Sequence, residues 1–368
     1  MTSEERSPAD DVYESFSTEL QVTMKARAYS LVVASFVVAT IASGQAAPNY
    51  HVARKVKIGG DGGFDYVTTD PSSKRVFLTH STHVVVYDLA KDTVVGDIPN
   101  TKGVHGVALA PDLNRGFTSN GGDSSVTIFN YRTLEIIKVL PIHAINPDAI
   151  TYDEVTRRVF TWNHGTHDAT VIDAEKGEVV GTIPNMGTPE TAVTDGKGTL
   201  WVNIEDTNEI VKIDTKTMKE TGRFSIAPCD APTGLAIDRA NRVLFAACGS
   251  RHMTIIDVDK QAVITTVPIG PGADGAAFDP QTKLAFASSG GDGTTTVVQQ
   301  VSRNEYKVVQ TVPTLRGSRT ISLDPTTHRI YQMAVEYGPA PAPATPGGRA
   351  GRPPIVPGSF SLLIIEPQ

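Results

Sequence analysis

The strongest constraint on the fold is a unit of about 42 residues that recurs seven times along the chain. Each unit contains a turn at an Asp-Pro or equivalent pair, and successive turns are separated by 40, 43, 42, 43, 41 and 45 residues. The turn positions are Asp70, Ala110, Asp153, Asp195, Asp238, Asp279 and Asp324. Such a period is typical of repeat architectures in which each unit stacks on the next.

Four short apolar runs fill a complete unit. In the fifth unit they read "GLAID", "RVLFAA", "MTIID" and "AVITTVPI". Seven such units predict an all-β fold, a seven-bladed β-propeller of four-stranded blades, because a small twisted sheet buries its faces only against its neighbours. The last unit supplies three strands, and "HVARKVKIGG" near the N-terminus supplies the fourth. We therefore expect an N-terminal strand to pair with the C-terminal blade and close the ring.

The overall charge argues against nucleic acid as a partner. The net charge is −7, and the first 47 residues carry three basic and six acidic side chains, which leaves −4 for the remainder. Binding to a phosphate backbone needs clustered lysine and arginine instead. We expect a monomer that binds a small polar molecule or an extracytoplasmic protein.

Residues 24–47 have the order of a secretory signal peptide. Lys25 and Arg27 precede an apolar run at 31–42, and small residues end at Ala47. Because a membrane span needs about 20 apolar residues, we expect cleavage near Ala47 and no stable membrane span afterwards. An uncleaved tether is the alternative. The sequence thus predicts a periplasmic or secreted domain at 48–368, with residues 1–23 a non-globular extension or a misassigned start.

The phrases "RVF", "VTIFN", "VIDAEKGEVVGTIP" and "FDPQTKLAFAS" resemble YVTN-type repeats, and the chain is similar to the YncE-like exported seven-bladed β-propellers from about Tyr50 to its end. The resemblance implies the fold and export. It implies no single activity, because related propellers include binding proteins, proteins associated with redox enzymes, and metal-dependent lyases and lactonases.

Strand direction predicts which polar residues meet. The residue five before each turn position begins the first strand of a blade, where seven blades approach the central channel. We call this set the mouth ring: Asp65, His105, Asp148, Glu190, Thr233, Asp274 and Arg319. The residue ten after each turn ends the second strand on the same side, here called the upper face. Seven of the nine histidines map to this face.

A ligand site is expected on the upper face because a concave mouth with convergent polar groups favours binding. The predicted ligand-binding residues are Asp65, His80, His83, His105, Asp148, Asn163, His164, Glu190, Glu205, Asp274 and Arg319. A solvated channel lining would carry similar residues, so both interpretations stand. Arg319 has two interpretations of its own: a grip on a substrate carboxylate, or a salt bridge to Asp274 or Asp65.

Four neighbouring ring residues form a candidate metal set: Asp65, His105, Asp148 and Glu190. Carboxylates held close together favour a cation or a shared proton. A divalent cation such as calcium would suit their oxygens, whereas zinc would want more histidine. A lyase or lactonase type of enzyme could use this metal, with His105 as acid or base. No GxSxG, HExxH, CxxC or P-loop motif supports another catalytic class.

The two cysteines, Cys229 and Cys248, fall in neighbouring upper-face loops of one blade. In an exported protein they should form a disulfide, which would add on the order of 3 kcal/mol of stability. A further upper-face feature is the proline-rich loop 336–359, which interrupts the last blade between its second and third strands. It is either a lid or docking arm over the channel or a tolerated surface loop. Trp162 and Trp201 are expected between blades as core residues.

Overall fold

The computed structural model describes residues 49–342, 351 and 353–368. Within these residues the fold is all-β, with 28 strands in seven four-stranded antiparallel sheets and one turn of 3-10 helix at Pro111–Leu113. The seven-bladed β-propeller predicted from the repeat is therefore confirmed. The predicted signal segment 24–47, the extension 1–23 and part of the proline-rich loop lie outside the described residues.

The first strand of the chain, β1 (Tyr50–Lys57), belongs to the last blade, and the next sixteen strands build blades 1 to 4 in order. Blade 1 contains β2 (Val67–Asp70), β3 (Arg75–His80), β4 (His83–Asp88) and β5 (Thr93–Ile98). Blade 2 contains β6 (Val104–Ala110), β7 (Arg115–Asn120), β8 (Ser125–Asn130) and β9 (Ile136–Pro141). Blade 3 contains β10 (Pro147–Asp153), β11 (Arg158–Asn163), β12 (Asp168–Asp173) and β13 (Glu178–Ile183). Blade 4 contains β14 (Pro189–Thr194), β15 (Thr199–Ile204), β16 (Glu209–Asp214) and β17 (Lys219–Ser225).

The remaining strands build blades 5 to 7. Blade 5 contains β18 (Pro232–Asp238), β19 (Val243–Cys248), β20 (His252–Asp257) and β21 (Ala262–Pro268). Blade 6 contains β22 (Ala273–Asp279), β23 (Leu284–Ser289), β24 (Thr294–Ser302) and β25 (Glu305–Pro313). Blade 7 contains β26 (Ser322–Asp324), β27 (Arg329–Ala334), β28 (Ser361–Pro367) and β1.

The ring is closed as the sequence predicts, by the N-terminal strand. β1 pairs antiparallel with β28, in a register that runs from Tyr50 opposite Pro367 to Lys57 opposite Ser361. Tyr50 also binds blade 6, because its N–H donates to Gln310 Oε1 at 2.8 Å and its carbonyl accepts from Gln310 Nε2 at 2.7 Å. The last blade is therefore held together by both ends of the propeller chain.

The hydrophobic core is divided among the seven contacts between blades. Each contact contains one buried apolar cluster, formed by side chains from the facing sheets of two neighbouring blades. Trp162 packs between blades 3 and 4, and Trp201 packs between blades 4 and 5, so both are core residues as expected. Because each blade buries both faces only against its neighbours, the sheets depend on ring closure for stability.

Aspartate recurs at the turns because its carboxylate binds the turn backbone. Asp238 Oδ1, for example, accepts hydrogen bonds from the N–H groups of Ala240 and Asn241 at 3.0 and 3.1 Å. Ala110 cannot do this, and the turn after it is the single 3-10 turn. The repeat in the sequence is thus a repeat of turn chemistry as well as of strand pattern.

The proline-rich insertion leaves blade 7 between β27 and β28, on the upper face. Its base is a narrow antiparallel ladder in which Tyr337 bridges Ile355. Gly338 N–H donates to Pro354 at 2.8 Å, and Val356 N–H donates to Glu336 at 2.8 Å. The described residues contain no helix with the length and apolarity that a membrane crossing requires.

Candidate binding site at the channel mouth

The structure brings the seven mouth-ring residues to equivalent places around the channel. Five of them lie at or next to the first residue of the first strand in blades 2 to 6: His105, Asp148, Glu190, Thr233 and Asp274. Asp65 and Arg319 lie just before the first strands of blades 1 and 7. Side chains more than 250 residues apart in sequence therefore touch, as the two ends of the ring show.

Arg319 holds two ring carboxylates at once. Its Nε donates to Asp274 Oδ2 at 2.6 Å, and its Nη2 donates to Asp65 Oδ1 at 3.1 Å. Of the two interpretations drawn from the sequence, the salt bridge is the arrangement seen. Because the guanidinium is already shared by two acids, a ligand carboxylate would have to displace one of them.

His105 lies between two acids, Asp65 and Asp148. Its Nδ1 lies 2.6 Å from Asp65 Oδ2 and 3.5 Å from Asp148 Oδ1. Burial alone would lower the pKa of His105, but the hydrogen bond to Asp65 and the charges of Asp148 and Asp65 outweigh it and raise that pKa. The raised pKa favours an imidazolium, which would offset part of the ring's negative charge and could not act as a general base.

Two ring carboxyls have pKa values near neutrality. Burial raises the pKa of Asp148 to about 7, against the opposing charge of His105. Burial likewise raises the pKa of Asp274 to about 6, although Arg319 opposes the shift. Asp148 Oδ1 is buried and accepts no hydrogen bond from the described residues. The ring therefore contains carboxylate that its own cations leave incompletely compensated.

Glu190 is bound from across the channel by Tyr66, a residue of blade 1. The Tyr66 hydroxyl donates to Glu190 Oε1 at 2.8 Å. Burial, with the charges of Asp148 and Asp274, raises the pKa of Glu190 well above its ordinary value. Burial also raises the pKa of Tyr66. The phenol therefore stays neutral and serves as a donor that orients this carboxyl.

Tyr66 was missed by the sequence analysis, although the sequence contains a signal for it. The residue that follows each ring position is small in the other six blades: Gly106, Ala149, Thr191, Gly234, Gly275 and Thr320. The longer side chain of Tyr66 reaches the opposite side of the ring, where it packs against the apolar cluster between blades 3 and 4. This departure from the small-residue pattern is the sequence signal that could have indicated Tyr66.

The four residues proposed as one metal set divide between two groups. Asp65, His105 and Asp148 each offer a ligand atom within 4.8 Å of the others. Glu190 instead belongs to a second group with the same spacing, together with His164 and Glu205. His164 and Glu205 were predicted as ligand-binding residues but not as metal ligands.

The ends of the second strands lie on the upper face, but two predicted binding residues there are committed to the blades. Asn163 is fully buried, and its Nδ2 donates to Asp168 Oδ1 and Thr170 Oγ1 at 2.7 and 2.9 Å within blade 3. His80 is 1% exposed and stacks on Phe360, with ring centroids 4.2 Å apart. We therefore leave both side chains outside the candidate site.

His83, the first residue of β4, lies beside His80, with ring centroids 5.0 Å apart, and is partly exposed. Cys229 and Cys248 form a disulfide between neighbouring upper-face loops of blade 5, with their Cα atoms 5.5 Å apart. Neither feature contacts the mouth ring through the hydrogen bonds of the described residues.

Two cavities adjoin the ring. One of about 100 Å³ lies in the channel among the first strands of blades 1 to 4 and is lined in part by Tyr66. A larger cleft of about 1180 Å³ lies between the upper loops of blades 6 and 7 and the base of the insertion. Arg319, Arg316 and Tyr337 line it, so the insertion and the ring share one concave surface.

The sequence matches no protein-family model and no curated protein. Among solved structures, the chain is similar to hydrazine synthase of Kuenenia stuttgartiensis, with 17% identity and a TM-score of 0.65. The match covers 73% of this chain and 92% of that one. Identity at this level shows a shared propeller fold alone. The YVTN-type, YncE-like family therefore stays a prediction.

Proposed function

We propose that this protein is an exported β-propeller that binds a small polar ligand with a positive charge at the mouth ring. The observation that carries the proposal is the surplus of carboxyl groups there. Asp65, Asp148, Glu190 and Asp274 converge on one mouth, and the cationic side chains of the ring are Arg319 and His105. Arg319 and His105 do not offset the repulsion among all four carboxyl groups, and a bound cation would reduce what remains.

The contacts of Arg319 favour a cationic ligand over an anionic one. Since its guanidinium already binds Asp65 and Asp274, a ligand carboxylate would gain that contact only by leaving an aspartate unpaired. Breaking such a partly buried pair is costly. An amine can instead bind Asp148, because 13% of its side chain is exposed and no lysine or arginine of the described residues forms an ion pair with it.

An extracytoplasmic protein is the larger partner that the same surface can take. The base of the proline-rich insertion and the ring line one cleft, which a loop or a lysine side chain of a partner can enter. Export is supported by the signal-like order of residues 24–47 and by the Cys229–Cys248 disulfide, since disulfides persist mainly outside the cytoplasm.

The enzyme hypothesis, a metal-dependent lyase or lactonase type, has one supporting observation. A histidine paired with an aspartate, as His105 is with Asp65, is an arrangement that can transfer protons. The raised pKa of His105 argues for a charge-compensating role instead. Loss of turnover of a lactone substrate in His105→Ala would favour catalysis, whereas unchanged ligand binding without any turnover would favour the binding protein.

A thermal-shift panel tests the binding proposal. The full chain is heated at pH 8 with EDTA and with small organic amines, matched neutral alcohols, or dicarboxylates of similar size. A ligand at 100 times its dissociation constant should stabilise the fold by about 2.7 kcal/mol. We expect stabilisation by at least one amine and none by the dicarboxylates.

Two variants locate the effect. Asp148→Asn should remove the stabilisation by the amine, and Asp97→Asn, which changes an exposed acid on the outer strand of blade 1, should keep it. Stabilisation by dicarboxylates, or an equal response of the two variants, would overturn the proposal.

A further inference from the structure

A second group of ligand-type side chains lies beside the ring, where blades 3 and 4 meet. Its members come from three separate segments: His164 follows β11, Glu190 lies in β14, and Glu205 follows β15. One atom from each lies within 4.8 Å of the others. His164 Nε2 is 3.6 Å from Glu205 Oε2. We call these three residues the blade 3/4 triad.

The triad differs from the Asp65–His105–Asp148 group in its charge balance. In that group His105 and Arg319 both bind Asp65, so that carboxylate already has two basic partners. In the triad, no lysine or arginine of the described residues forms an ion pair with Glu190 or Glu205. A metal ion at the other group would have to displace His105 or Arg319 from Asp65, whereas at the triad it meets no such lysine or arginine.

Glu190 supplies the second, independent observation. The residue as a whole is 8% exposed. One oxygen accepts from Tyr66, and no donor of the described residues reaches the other. That second oxygen is not among the fully buried unpartnered atoms, so a ligand can reach it, and a cation there would offset the cost of ionising a largely buried carboxyl. The Tyr66 hydroxyl has the role of an outer partner that fixes a metal-binding carboxylate.

We propose that His164, Glu190 and Glu205 bind one divalent transition-metal ion, with zinc as the representative ion. One imidazole and two carboxylates are the nitrogen and oxygen ligands that zinc accepts, and three protein ligands leave a position for water or a ligand atom. Calcium prefers oxygen alone, so the histidine argues against it here. This inference goes beyond the proposed function and does not depend on it.

Zinc titration of the full chain tests the site. The protein is stripped with EDTA, dialysed and titrated with zinc by calorimetry, and bound metal is counted by elemental analysis after a second dialysis. We expect one zinc per chain, and calcium in large excess should not displace it. His164→Ala and Glu205→Gln should each weaken zinc binding at least about tenfold. Both positions are partly exposed, so both variants should fold.

Two control variants decide between sites. His83→Ala removes a partly exposed histidine at the start of β4 in blade 1, and His105→Ala removes the histidine of the other group. Both should keep zinc affinity within a factor of about three. Zinc binding that is lost in His105→Ala but kept in His164→Ala would overturn the proposal, as would no binding, or equal losses in all four variants.

The amine panel separates this proposal from the proposed function, because EDTA removes the metal there. An amine effect without zinc binding would leave the binding function and remove the triad site. Zinc binding without an amine effect would support the triad site and remove the proposed binding function.

Discussion

The Tyr66 hydroxyl, on blade 1, donates a 2.8 Å hydrogen bond to Glu190 Oε1, on blade 4. A single side chain thus crosses the central channel and joins blades that are three apart in the ring. Tyr66 also lines the small cavity among the first strands of blades 1 to 4.

Tyr66→Phe should show how much this contact contributes. The variant keeps the ring packing and removes the donor to a buried carboxyl, which should lower the free energy of unfolding by about 1–2 kcal/mol. Urea unfolding at pH 7 measures the change. Tyr337→Phe, which alters a partly exposed hydroxyl in the insertion, is the matched control and should change stability little. Equal stabilities of Tyr66→Phe and wild type would contradict the role assigned to Tyr66.

Asp148→Asn should change how stability depends on pH. The folded pKa of Asp148 is about 7 and its ordinary value is 3.8, so the folded state binds the extra proton between these values. Its stabilising contribution is full below pH 3.8 and is lost as the pH rises through 7. Asparagine cannot ionise, so the variant should be more stable than wild type at pH 8 by roughly 2–4 kcal/mol and nearly equal at pH 4.

Unfolding in EDTA at several pH values measures this difference, with Asp97→Asn as the exposed-acid control. A stability gap between Asp148→Asn and wild type that stays constant from pH 4 to pH 8 would show that Asp148 ionises normally in the fold.

His80→Phe should remove a cost that appears in acid. Burial, aided by His83, lowers the pKa of His80 to about 4 from 6.5, and neither ring nitrogen has a partner among the described residues. The unfolded chain then binds the extra proton between pH 4 and 6.5, so wild-type stability falls as the pH drops through that window. Relative to wild type, His80→Phe should gain about 3 kcal/mol between pH 7 and pH 4.

If the larger phenylalanine ring packs less well, the variant loses the same stability at pH 7 and at pH 4. The relative gain on acidification is then unchanged. His83→Phe, at a partly exposed site, should show no comparable gain. If His80→Phe and wild type lose stability in parallel on acidification, His80 is accessible to protons in the folded state.

Reduction of the Cys229–Cys248 disulfide should weaken blade 5 and its neighbours. The bridge closes a segment with a sequence separation of 19 residues, so its loss should cost about 3 kcal/mol. Unfolding of the Cys229→Ser/Cys248→Ser double variant measures this cost without a reductant. Intact mass before and after reduction provides the control, because the folded wild type should gain two hydrogens. A wild-type mass that reduction leaves unchanged would show that no bridge had formed.

The fold was predictable because its cause is periodic. Turn aspartates recur about every 42 residues, and the missing strand of the last blade is present near Tyr50. Spacing also predicted that Asp65 and Arg319 would be neighbours, since both begin first strands on either side of the closure. Residues at the same position of the repeat unit occupy equivalent places in the seven blades. The position of a residue in its unit therefore predicts its place around the channel.

Side-chain direction was less predictable than position. His80 and Asn163 end second strands on the upper face, as their spacing indicated, yet their side chains are buried within or between blades. Successive residues of a strand point to opposite sides of the sheet, so a displacement of one residue decides between mouth and core. Glu190 and Glu205 occupy repeat positions, but their approach to His164, and the reach of Tyr66 to Glu190, depend on side-chain contacts that the repeat does not specify.

The most direct measurement of the central claim is calorimetric titration of the mouth with the most strongly stabilising amine of the panel, in EDTA, from pH 5 to pH 8. Ionisation of Asp148, with its pKa of about 7, and of Asp274, with its pKa of about 6, should raise the affinity by about tenfold or more over this range. Asp148→Asn should flatten that dependence. An affinity that does not change with pH, or that rises as the pH falls, would contradict a cation-binding mouth ring.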